Sequence, residues 1–233
     1  MAQPRVFLTA EWRNLIGVTF ACPRERLEPH VPPGVEIDEL EGSPRISLVA
    51  FEFFHTCVLG LPIPGHVRFP EINLRFYVRH RGERAVVFLR ELVPRRAVAT
   101  VARLRYNEPY TRVPMRAQTT THGDALTVTH RFAAASSVSV TATTQTHEPG
   151  PADRWLTDHA LGVGRLRNGT VVLYDVAHPT WPLHTVTDTR LDVDFEAVYG
   201  PEWAWLRDAT PSHVSLATGS AVTVSRPVPA ARR

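Results

Sequence analysis

The chain has 233 residues, 43% of them hydrophobic and 21% charged, with a formal net charge of +3. That is the size and composition of a globular protein that buries a sizeable core without staples. All 26 basic side chains are arginine, so a lysine Schiff base is excluded; a guanidinium stays protonated and supplies no neutral amine. The two cysteines, Cys22 and Cys57, make no disulfide framework and no C-x-x-C metal pair.

The first twenty residues lack a charged segment followed by an apolar one, which predicts no signal peptide. The longest apolar stretch, Val49 to Leu61, is broken by Glu52, His55 and Thr56 and is too short for a membrane span. The expectation is a soluble cytoplasmic protein with no membrane partner. Its arginines are scattered rather than clustered, which argues against nucleic acid. A homo-oligomer is compatible with the sequence, which fixes no stoichiometry.

In chain order, Leu15 to Phe20 reads as a strand, and Arg24 to Val31 as a short helix opened by Pro23 and closed by Pro32-Pro33-Gly34. Strands then follow at Val35 to Leu40, Ile46 to Phe54, Glu71 to Arg79, Ala85 to Leu92, Ala97 to Tyr106, Arg116 to His122, Ala125 to Ala133 and Ser137 to His147. Asp153 to Val163 reads as a helix. Strands at Thr170 to Ala177 and Val214 to Val224 bracket a loop rich in aromatics and prolines, with a short helix at Asp194 to Tyr199. The Pro- and Arg-rich tail after Val224 is expected to fray. Short strands about ten residues apart predict a single β-rich α+β domain over 1–233, an antiparallel barrel with a few peripheral helices.

Three segments carry candidate chemistry. In Glu71 to Arg79 polar and apolar residues alternate, so Glu71, Asn73, Arg75, Tyr77 and Arg79 share one face, and Ile72, Leu74, Phe76 and Val78 the other. Facing water, the polar row is ordinary; facing a barrel interior, it gathers a carboxyl, an amide, a guanidinium and a phenol suited to binding an anion and moving a proton. The segment Val101 to Tyr110 offers Arg103, Tyr106 and Tyr110, guanidinium and phenol groups that suit a carboxylate or enolate. In the rigid Ala177-to-His184 loop, His178 is a candidate acid or base and Trp181 a ligand contact. His178 and His184 match no zinc spacing, and no metal or other cofactor is predicted. No G-x-S-x-G, P-loop or G-x-G-x-x-G motif is present.

Phe69 to Val78, Ala102-Arg103 with Pro109-Tyr110, and His178-Pro179-Thr180-Trp181-Pro182-Leu183 together resemble the YqjF-like family of uncharacterised bacterial proteins. Trp12-Arg13-Asn14-Leu15 and the Pro33-to-Asp38 segment fit the same pattern, and the resemblance runs from about Trp12 to near Val224. It implies an acetoacetate decarboxylase-like cone of antiparallel strands around a cavity. Acetoacetate decarboxylase works through a lysine Schiff base, so the resemblance extends to the fold and not to that chemistry.

The expected function is a pocket for a carboxylate or other oxyanion. Arg75 and Arg103 would bind the anion, with Asn73, Tyr106, Tyr110 and Trp181 as further contacts. Glu71, Tyr77 and His178 would be the acid–base groups. The alternative is a non-catalytic binding or sensor domain using the same pocket.

Overall fold

A computed structural model describes residues 6–94, 110–133, 135–166 and 168–232. The strands are β1 (Val6–Ala21), β2 (Glu36–Ile37), β3 (Glu39–Leu40), β4 (Ser43–Val58), β5 (Leu61–Pro62), β6 (Phe69–His80), β7 (Glu83–Val93) and β8 (Tyr110–Arg112). They continue with β9 (Met115–His122), β10 (Ala125–Phe132), β11 (Ser136–His147), β12 (Leu161–Arg165), β13 (Val171–Ala177), β14 (Leu183–Asp192), β15 (His213–Ser225) and β16 (Val228–Pro229). The α-helices are short: α1 (Arg24–Leu27), α2 (Pro151–Thr157) and α3 (Phe195–Tyr199).

The strands pair in the order β15-β1-β4-β6-β7-β12-β13, and β13 pairs back to β15, with Val176 and Ala177 opposite Val224 and Thr223. The path of hydrogen bonds therefore returns on itself. Neighbours along it are antiparallel except β7 and β12, which run parallel from Leu161 opposite Ala85. From β15 a second run of strands, β14-β11-β10-β9, branches away. Hydroxyl pairs across its strands, Thr127–Thr141 at 2.9 Å and Thr129–Ser139 at 2.7 Å, tie its Thr- and Ser-rich face.

The alternation in β6 decides what lies on each side of the wall. Ile72, Leu74, Phe76 and Val78 are fully buried in the main core, with Val128, Val138 and Val140 of the branch and with Phe195 and Trp203. The opposite face, starting with Glu71, looks the other way. The core is thus sandwiched between the returning wall and the branch, and the polar row of β6 is turned from it. Gly219 (φ +83°) holds the closure at β1: a Cβ there would strike the Trp12 carbonyl, so only glycine fits.

Several expectations are corrected. The first strand is longer than Leu15 to Phe20, and the helix begun at Arg24 continues as a 3-10 turn over Glu28–His30. The helix expected over Asp153 to Val163 ends at Thr157, and Leu161–Arg165 is a strand between β7 and β13. A short apolar run buried on both faces has no periodicity that separates helix from strand. Strand β14 lies in what reads as a loop, because its face alternates between half-buried and exposed polar residues. The tail does not fray at Val224: Val228 and Pro229 pair with Leu173 and Val172. The strand expected over Ala97 to Tyr106 lies outside the described residues. Among the described residues no helix is long and apolar enough to cross a membrane.

Candidate functional site

Glu71, Asn73, Arg75 and Tyr77 all line one cavity of about 290 Å³. Its walls come from β1, β4, β6, β7, β13 and β15, with Leu156 and Thr157 of α2 and the neighbouring His159. Register sets the neighbours of each polar group: Phe51 lies opposite Glu71, Val49 opposite Asn73, and Ser47 opposite Arg75. Arg79, the last polar residue of the row, is not in the cavity wall and instead pairs with Asp38 at 2.7 Å.

Glu71 is 3% exposed. The Tyr110 hydroxyl donates to its Oε2 at 3.1 Å. Burial pushes the carboxyl up from its ordinary 4.5 to about 7, against the opposing pull of hydrogen bonds from Tyr110 and Asn73. Desolvation wins because both donors are neutral. Asn73 is 2% exposed, and its Oδ1 has no partner among the described residues. Glu91 adds a second buried carboxyl to the same wall.

Arg75 reaches the other way. Its guanidinium donates to the Leu156 carbonyl at 3.2 Å and lies 5.7 Å from the centre of the Tyr77 ring. Its Nε is buried without a partner among the described residues. Beside it runs a ladder of hydroxyls on adjacent strands, Thr19 to Ser47 at 2.7 Å and Ser47 to Tyr77 at 2.7 Å. The Tyr77 ring packs 4.9 Å from His159. Burial holds His159 neutral, reinforced by Arg75 and Arg84.

The remaining wall is aromatic. Trp12 lies 4.9 Å from Phe51 and 6.2 Å from Trp181, and Phe53 stacks on Phe69 at 4.7 Å. His178 stacks on Trp181 at 3.9 Å, and its Nδ1 donates to the Pro179 carbonyl at 2.9 Å, which leaves Nε2 as an acceptor. Burial lowers its affinity for a proton, partly offset by that carbonyl and by Asp158. Trp181 is fixed by a 2.8 Å hydrogen bond from its Nε1 to Ser220.

Of the residues expected at the site, Glu71, Asn73, Arg75, Tyr77, Tyr110, His178 and Trp181 all line the cavity, whereas Arg103 and Tyr106 lie outside the described residues. Sequence reasoning missed Trp12, Ser47, Phe51, Glu91 and His159. The inward residues of β4 are as apolar as its outward ones, so alternation gave no signal there. His159 follows a helix end, where no pattern aims a side chain. Among the described residues no group of three or more His, Cys, Asp or Glu is placed to hold a metal ion.

The model of the DUF2071 family, described as an uncharacterized conserved protein, matches residues 9–221. The chain belongs to this family. It is 27% identical over 198 residues to the uncharacterized protein YqjF of Bacillus subtilis (strain 168), covering 77% of this chain and 79% of that one. Among solved structures, the enduracididine biosynthesis enzyme MppR complexed with pyruvate superposes with a TM-score of 0.69 at 14% identity. That match covers 99% of this chain and 92% of MppR. Acetoacetate decarboxylase from Legionella pneumophila gives a TM-score of 0.62 at 13% identity, covering 97% and 86%. This chain therefore shares the β-rich acetoacetate decarboxylase-like fold.

Proposed function

We propose that the closed ring of strands is a barrel whose cavity binds an organic carboxylate, and that it carries out acid–base chemistry at a carbonyl of the bound acid. The observation that supports this most directly is the inward row of β6, where a carboxyl with a proton affinity near neutrality stands on the same wall as a guanidinium. Arg75 is the anion anchor. Its planar fork suits two oxygens, and a ligand oxygen would give its buried Nε the partner it lacks among the described residues.

Glu71 is the proton carrier. A general acid or base works best when its pKa lies near the working pH, and a value of about 7 meets that condition. Tyr110 and Asn73 hold the carboxyl in place, and His178, whose Nδ1 donates to Pro179, offers its Nε2 as a second acceptor beside the aromatic wall. With no lysine in the chain, activation of a carbonyl falls to hydrogen bonding and proton transfer, as in enolisation, hydration or dehydration. The pyruvate bound to MppR, a protein of the same fold, supports an oxo acid as the ligand class.

The test is uptake of solvent deuterium next to the carbonyl of oxo acids, followed by proton NMR. The wild-type protein should accelerate exchange, and Glu71→Gln should lose about 10²–10⁴-fold of that acceleration while remaining cooperatively folded. Arg75→Gln should weaken binding of the acid. Binding without exchange in the wild type would refute the acid–base role and make the cavity a binding or sensor site.

A further inference from the structure

We infer that the substrate is an elongated oxo acid whose carboxylate and reacting carbonyl are several bonds apart, with an aryl or branched-alkyl body beyond the carbonyl. The inference rests on the carboxylate-pocket reading above and adds the shape of the molecule. It comes from the order of side chains along the wall. Phe69 lies opposite Phe53, which in turn lies opposite Trp12; Glu71 lies opposite Phe51; and Arg75 lies opposite Ser47, itself opposite Thr19. Read along β6, the cavity passes from an aromatic end, through the carboxyl of Glu71 and the Glu91 carboxyl opposite Asn73, to an end built of a guanidinium and three hydroxyls.

Length follows from strand geometry. Four residues separate Glu71 from Arg75, roughly 13 Å of strand at about 3.3 Å per residue. The guanidinium also leans away from Glu71, toward Leu156 and Tyr77. A three-carbon acid anchored on Arg75 would leave its carbonyl short of Glu71. A carbonyl several bonds from the acid group reaches it.

Volume and polarity agree. A cavity of about 290 Å³ holds roughly ten waters' worth of space, more than the six heavy atoms of pyruvate fill. The space left over lies against Trp12, Phe51, Phe53, Phe69 and Trp181, which gain by covering an apolar group and offer a charge nothing. Asn73, midway along the wall with its Oδ1 unpartnered among the described residues, faces the chain between carboxylate and carbonyl. An acceptor at that point favours a hydroxyl or enol donor in the linker.

Titration calorimetry with three probes tests this: 5-oxo-5-phenylpentanoate, 5-oxohexanoate, which keeps the spacing without the ring, and pyruvate. The phenyl acid should bind at least tenfold more tightly than 5-oxohexanoate and at least a hundredfold more tightly than pyruvate. Phe53→Ala should erase the tenfold advantage of the ring; Phe53→Leu, which keeps most of the packing, should erase part of it. Pyruvate binding as tightly as the phenyl acid, with Arg75→Gln weakening both, would overturn the elongated shape and leave the carboxylate pocket standing. Arg75→Gln binding all three acids as well as the wild type would overturn the pocket reading, and the shape with it.

Discussion

At one end of β6 the buried carboxylate of Asp38 (4% exposed) accepts hydrogen bonds from Arg79 at 2.7 Å and from Arg84 at 3.1 Å. At the other end Glu71 is just as buried, yet among the described residues its hydrogen-bond partners are the neutral Tyr110 and Asn73. Taking a charge out of water is costly in both places. Near Asp38 two guanidiniums offset the cost and the group is structural. Near Glu71 no opposite charge among the described residues does so, and the carboxyl meets the cost by holding a proton to about pH 7. Burial by itself does not mark a functional carboxyl; what compensates the burial does.

Removing the compensated charge should have the largest effect on folding. Asp38→Ala leaves Arg84, itself 23% exposed, facing Arg79 without the anion between them. We expect a loss of about 2–4 kcal/mol in urea unfolding, at the low end because Arg79 is 44% exposed. A loss below about 1 kcal/mol would make Asp38 no more structural than Glu71.

Glu71→Gln should behave differently, with an effect that depends on pH. Between 4.5 and about 7 the native protein keeps a proton that the unfolded chain has released, so the Glu71 contribution to stability falls as pH rises through that window and is flat above it. The wild type should therefore lose on the order of 1–3 kcal/mol relative to Glu71→Gln between pH 4.5 and pH 7. A constant difference across the window would show that Glu71 is compensated after all. The smallest effect is expected from Arg79→Gln. That side chain is half in water, and Arg84 still holds Asp38. The cost should be about 0.5–1 kcal/mol and should shrink in high salt.

How much of this was legible before the structure differs from strand to strand. The β6 row was readable because polar and apolar residues alternate without a break from Glu71 to Arg79, and a period of two assigns faces directly. What alternation cannot give is which face is enclosed. Nor can it tell that the row divides, with Arg79 leaving the cavity to pair with Asp38. Strand β4, apolar on both faces, hid Phe51 and Ser47. Strand β12 is buried through Leu161, Gly162, Val163 and Gly164, and passed for the end of a helix. The aromatic end was hardest to foresee. It joins Trp12, Phe53, Phe69 and Trp181, residues far apart in the chain that only the strand register brings together.

The most direct test of the contrast is titration of the Glu71 carboxyl itself. Carbon-13 NMR of glutamate-labelled protein, with the signal assigned by its absence in Glu71→Gln, reports the midpoint without any knowledge of the ligand. A midpoint near 7 is the result expected for a buried carboxyl held by the neutral donors Tyr110 and Asn73. A midpoint at or below the ordinary 4.5 would mean that a compensating charge reaches Glu71, and would remove it as the proton carrier of the cavity.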